Sequence, residues 1–184
     1  MPRPHITKSL RQKVTLRAAE CCEYCLVHQD DRPENHQIDH ITALKHDGTT
    51  DSGNLALACV VYNKFKGSDL TSIDPLERII VPLFNPRTQI WSEHFELENV
   101  RIVGLTPVGR ATAELLKLND ADRLIERQEL WSLKIKSDKK IIWLKHKDFL
   151  FFYSSAKACV LTNQLKLEAI YKTKNKLPPK INCH

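Results

Sequence analysis

The chain contains no run of eighteen apolar residues, so no stretch of it can cross a bilayer as a helix on hydrophobicity alone. Its first residues, Met1-Pro2-Arg3-Pro4-His5, lack the apolar core of a secretory signal. There is no internal repeat or low-complexity tract, and residues 132–184 contain neither Arg nor Gly. The expectation is a soluble, cytoplasmic protein with no membrane partner. In that compartment six cysteines are read as thiols or metal ligands before disulfides.

A length of 184 residues holds one domain with a sizeable core, or a small domain with an appendage. The net charge of +6 suggests an anionic partner, but its distribution is uneven. Residues 132–184 hold 12 Lys and 3 acids, a net of +9, which leaves residues 1–131 at −3. Any phosphate binding in the first part must therefore rest on local cations.

Residues 9–20 place Leu10, Val14, Leu16 and Ala18 near one helical face, with Ser9 as a candidate cap. They run into Cys22-Glu23-Tyr24-Cys25, a C-x-x-C pair whose two thiolates can converge on one metal ion. A short apolar-flanked run carries Asp39-His40. After a loop with the turn signals Asp47-Gly48 and Ser52-Gly53, a second strand-like run covers residues 55–58. A helix is expected from near Val60 to near Gly67, carrying Asn63, Lys64 and Lys66. Beyond it, residues 70–77 read as a turn-rich connector, and residues 79–87 and 91–95 as two strands divided by prolines. Residues 105–112 read as a turn opening a helix through Leu116, and a last helix runs from about Ala121 to Trp131 after Asn119-Asp120.

The order strand, loop, strand, helix, with Asp39-His40 on the first strand, Asn54 opening the second and Asn63 on the helix, resembles the HNH endonucleases. The resemblance implies an α+β fold built on a ββα-metal hairpin and helix, and a metal-dependent nuclease that hydrolyses DNA. It implies His40 as general base, Asp39 and Asn63 as ligands of one Mg²⁺ or Mn²⁺ ion, and Asn54 as the residue that orients the His40 region. Lys64 and Lys66 are expected to meet phosphates. Many family members hold a structural zinc with two C-x-x-C pairs. Cys22, Cys25 and Cys59 fit that pattern, while Tyr62 stands where the fourth thiolate belongs. A phenol of pKa about 10 is a poor zinc ligand near neutral pH. Zinc is thus expected to be weakly held or absent, with Cys21 or His36 as the substitutes to consider.

Leu-Phe-Asn-Pro-Arg at 83–87, Trp-Ser-x-His-Phe at 91–95 and Leu-Thr-x-x-Gly-Arg-Ala-Thr at 105–112 resemble a bacterial subgroup of these enzymes. The resemblance covers about residues 9–131 and gives those segments no chemical role. His46 and His94 are read as an ordinary loop histidine and a satisfied core histidine. The division expected is a nuclease domain at 1–131 and a Lys-rich extension at 132–184. The extension is read as a solvated appendage, with a basic, aromatic nucleic-acid arm as the alternative. The competing function is a non-catalytic nucleic-acid-binding or degenerate remnant, motivated by Tyr62 and the extension.

Overall fold

A computed structural model describes residues 5–136, with 152–154 and 157–159. Helix α1 spans Lys8–Arg17, and its cap is Thr7 rather than Ser9: the Thr7 hydroxyl accepts from the Leu10 amide at 3.2 Å. Ala19 and Glu20 both take positive φ, so the helix ends at Arg17 instead of continuing to Glu20. The chain then turns through the cysteine loop into β1, Gln37–His40. This strand pairs antiparallel with β2, Leu55–Ala58, in the register Ile38 to Leu57, Asp39 to Ala56 and His40 to Leu55. Helix α2, Val60–Lys66, follows immediately and stops at Gly67, whose φ of 53° is one that a side chain rarely tolerates.

The alternation of β2 explains its composition. All four residues of Leu-Ala-Leu-Ala are buried. Leu55 and Leu57 join Ile38 and Val14 of α1 in one apolar cluster. Ala56 and Ala58 face the other way, into a larger core with Tyr24, Tyr62, Phe84, Trp91 and Phe95, where small side chains let the aromatic rings approach the sheet.

The segment after α2 departs from its sequence reading. The expected connector holds strand β3, Thr71–Ile73, which pairs with β4, Ile80–Pro82. Residues 91–95, expected as a strand, begin with the single helical turn α3, Trp91–His94, before β5, Phe95–Glu98, pairs with β6, Arg101–Gly104. The helical turn puts Trp91 and Phe95 on one side, with ring centroids 5.2 Å apart, and aims the Trp91 indole N–H at the Tyr24 carbonyl, 2.9 Å away. Helix α4, Pro107–Leu115, is capped by Thr106, and α5 spans Ala121–Lys136, past the expected end at Trp131. Asp120 stands at the start of α5, its carbonyl accepting from the Arg123 and Leu124 amides, while the Asn119 amide pins the Ile102 backbone at both N–H and C=O.

These later segments brace the cysteine loop and hairpin. Arg87 ion-pairs with Glu23, whose other oxygen accepts from the Leu57 amide at 2.9 Å. The Thr112 hydroxyl accepts from the Phe84 amide, and Arg110 holds Asp74 through two nitrogens at 2.8 and 2.6 Å. Gly109 is required by a close approach, since a Cβ there would lie 2.0 Å from the His94 carbonyl oxygen. A final hairpin, β7 (Phe152–Ser154) with β8 (Lys157–Cys159), lies in the extension. The rest of the extension's reading falls outside the described residues. Among those described, no helix is long and apolar enough to cross a membrane.

Candidate active site and cysteine centre

Cross-strand partners share a face, so the register fixes where the site residues stand. His40, opposite Leu55, lies on the α1 side of the hairpin. Asp39, opposite Ala56, lies on the side of Tyr24 and α2. His40 ends β1, where the chain leaves the sheet. Its Nε2 is 3.0 Å from the Thr50 hydroxyl, and burial draws its pKa below the ordinary value, partly offset by the Asp39 charge. Burial thus favours the neutral imidazole, the form that carries a lone pair.

Asp39 is 3% exposed. One oxygen accepts from the Tyr24 hydroxyl at 2.7 Å and the other from Lys66 Nζ at 3.1 Å. Burial raises the Asp39 pKa, while Lys66 and Tyr24 act to lower it. Lys66 also donates to the His40 carbonyl at 2.9 Å. Its sequence reading as a cation facing phosphate is corrected here: Lys66 is 2% exposed, because position 66 lies one turn beyond buried Tyr62 on the inward face of α2. Lys64 is exposed. Asn63 is partly exposed and donates through Nδ2 to Gln37 Oε1 at 2.7 Å. Gln37 shares the face of Asp39, so Asn63 and Asp39 lie on one side of β1.

Asn54 ties the intervening loop together. Its Oδ1 accepts from the Thr42 amide at 2.8 Å, and its Nδ2 donates to the Thr42 and Thr49 carbonyls. Gly48 lies against the same strand end, where a Cβ would sit 1.8 Å from the Thr42 carbonyl oxygen. This binding of residues 42–49 carries Thr50 to His40. The structure brings Asp39, His40 and Lys66 into one connected set, with Asn63 alongside on the Asp39 face. Tyr24 and Thr50 belong to this set and were not foreseen. Tyr24 carries no periodic signal inside C-x-x-C, and Thr50 is one polar residue among many in a loop.

The donor types suit a divalent ion, but Asp39 is buried and both its oxygens are already engaged. Each Asp39 oxygen accepts one hydrogen bond and keeps further lone-pair capacity, and Asn63 donates through its nitrogen, which leaves its carbonyl oxygen as a donor to a cation.

The second centre lies on the core side. The sulfurs of Cys22, Cys25 and Cys59 are all within 4.8 Å of one another, with Cys25 and Cys59 at 3.6 Å. Neither Cys21 nor His36 joins them. His36 instead bonds the Val27 carbonyl through Nε2 at 2.9 Å. Burial pushes the Cys22 thiol up to about 12; it acts the same way on Cys25, where hydrogen bonds with Cys22 and Cys59 outweigh it and pull the thiol well down. Tyr62, 1% exposed, and Arg32 border the cluster electrostatically.

Residues 22–69 match the family model described as HNH endonuclease. No curated protein and no solved structure matches the chain.

Proposed function

With residues 22–69 identified as an HNH endonuclease segment and a nuclease-type function implied by it, we propose that the chain hydrolyses DNA phosphodiester bonds with the help of a divalent ion, and that His40 is its general base. The observation that carries this reading is the placement of His40 at the end of β1, with its Nε2 3.0 Å from the Thr50 hydroxyl and burial favouring the neutral imidazole. A general base needs a lone pair near the working pH and an orientation held by a partner; the lowered pKa favours the first and the Thr50 contact supplies the second.

Asp39 and Asn63 would hold Mg²⁺ or Mn²⁺ through oxygen donors. The bound ion would offset charge on the phosphoryl oxygens and the leaving oxygen. His40 takes the proton of the attacking water. Asn54 positions it by fastening the loop that bears Thr50, and exposed Lys64 meets flanking phosphate. Lys66 acts behind the site, holding Asp39 in place and offsetting its charge.

Plasmid cleavage with EDTA, Mg²⁺ and Mn²⁺, joined to calorimetry, tests the assignment. His40→Ala should abolish cutting and keep Mn²⁺ binding, while Asp39→Ala should weaken the binding itself. Equal loss of Mn²⁺ affinity in both variants would show the roles to be wrongly assigned. The engagement of both Asp39 oxygens by Tyr24 and Lys66 favours one competing reading, a nucleic-acid-binding module without catalysis. That module would retard DNA in a gel without cutting it under any of the three conditions.

A further inference from the structure

The cysteine centre holds more unsatisfied chemistry than three buried thiols explain. The Tyr62 hydroxyl is buried with no hydrogen-bond partner among the described residues, and so are Nε and Nη2 of Arg32. Arg32 uses its remaining nitrogen on Glu126. Both orphaned groups lie within the electrostatic field of all three sulfurs. Buried polar groups in a native fold nearly always have partners, and each orphan costs folding free energy.

The sulfurs are already spaced for an ion. Two thiolates bound at about 2.3 Å to a tetrahedral centre lie about 3.8 Å apart, and Cys25 and Cys59 are 3.6 Å apart. The backbone explains this arrangement. The Cys22 amide donates to the Val27 carbonyl and the Leu26 amide to the Cys22 carbonyl, closing a tight turn that presents Cys22 and Cys25 together. Cys59 caps α2, and Tyr62, three residues on, projects from the same side of the helix.

We propose that Cys22, Cys25 and Cys59 hold one divalent ion of the zinc type, and that Tyr62 Oη closes its coordination as the fourth donor while the Arg32 guanidinium lies against the ligand set. One ion would give the Tyr62 hydroxyl and the Arg32 N–H groups partners together. Binding forms three metal–sulfur bonds and releases the thiol protons to solvent. Three thiolates and a dication leave one negative charge, which the unpaired N–H groups of Arg32 are placed to meet. The Tyr62 hydroxyl gains the partner it lacks. This departs from the expectation of weak or absent zinc: a phenol is a weak ligand when free in water, but this one is buried within the electrostatic reach of all three sulfurs and has no hydrogen-bond partner among the described residues. The ion here would be structural, because all three thiols are buried. The inference does not depend on the chemistry of His40.

The test uses the full chain, purified without chelator. Elemental analysis should find one zinc per chain beyond any ion removed by mild EDTA, and cobalt substitution should give thiolate-to-cobalt charge-transfer bands with the intense d–d absorption of a four-coordinate site. Tyr62→Phe, which removes only the hydroxyl, should weaken zinc at least tenfold in competition with a chromogenic chelator and alter the cobalt d–d envelope. Tyr62→Cys should tighten zinc and strengthen the charge-transfer bands. A chain that binds neither zinc nor cobalt overturns the proposal. So does a Tyr62→Phe variant with unchanged affinity and spectrum, which would leave the fourth position to solvent. Should Tyr62→Phe fail to fold, Tyr62→Cys decides alone, and no gain in affinity overturns the assignment. Loss of DNA cutting with zinc retained would count against the nuclease reading and leave this inference standing.

Discussion

Replacing Lys66 by Met removes the only cation that contacts Asp39 among the described residues and keeps most of the volume of the side chain. Both partners are nearly inaccessible, at 2% and 3% exposure. Breaking a buried pair by deleting one partner typically costs about 3–5 kcal/mol, because the survivor is left charged in a poor solvent. Asp39 can avoid part of that cost by keeping its proton, at about 1.4 kcal/mol per pKa unit. Its folded pKa already lies above the unfolded value, so the folded state binds more protons between the two values, and stability falls as pH rises through that window. Loss of Lys66 extends the window upward. Urea unfolding should therefore show Lys66→Met destabilised by about 3 kcal/mol at pH 8 and by much less at pH 5. The Lys66→Met, Asp39→Asn double variant should recover most of the loss and lose the added pH slope. Equal stability of Lys66→Met and the parent at pH 8, or a deficit that does not change between pH 5 and 8, would refute the reasoning.

Two further outcomes are expected from the bracing segments. Gly109→Ala forces a Cβ to within 2.0 Å of the His94 carbonyl oxygen, so α4 must shift away from the end of α3; a loss of about 1–3 kcal/mol in urea unfolding is expected, and a neutral result would mean that the contact is not held in solution. Asp74, kept at a pKa of about 2 by its Arg110 hydrogen bonds, contributes stability that is present above the ordinary carboxylate value near 3.8 and is lost as pH falls through about 2. Arg110→Met should accordingly lower the melting temperature at pH 7 and at pH 5, and the gap should close as pH approaches 2. A gap that persists at pH 2 would separate Arg110 from the titration of Asp74.

How much could be read beforehand depended on the range of the physics involved. The β1–β2 hairpin, α2 and the α+β class were legible because alternation, turn residues and a terminal glycine are local signals. The pairing of Cys22 with Cys25 was also legible, since C-x-x-C spacing constrains its own geometry, whereas the approach of Cys59 was implied only by the family resemblance. What failed was set by partners distant in sequence. Thr71–Ile73 has no strand signal stronger than its turn signals, and it becomes a strand through pairing with Ile80–Pro82. Trp91–His94 forms a helical turn from which the Trp91 indole bonds the Tyr24 carbonyl, a partner 67 residues away in sequence. Lys66 looked like a surface charge until Asp39 and the phase of a seven-residue helix turned it inward. The segments at 83–87, 91–95 and 105–112 had no apparent chemical role; the contacts of Arg87, Trp91 and Thr112 give them a mechanical one.

The two-sided burial of Leu55–Ala58 makes the hairpin a partition between compartments. Neighbouring residues on β1 answer to different ones: His40 to the compartment of Val14 and α1, Asp39 to that of Tyr24 and the cysteines. The two sides are nonetheless joined, because Asp39 and His40 interact electrostatically, Lys66 contacts both residues, and Glu23 pairs with Arg17 of α1 as well as with Arg87, so substitutions across the partition should couple rather than sum. Drift in the packing of α1 would thus reach the Asp39 side through Arg17 and Glu23, and the two halves of the centre vary together.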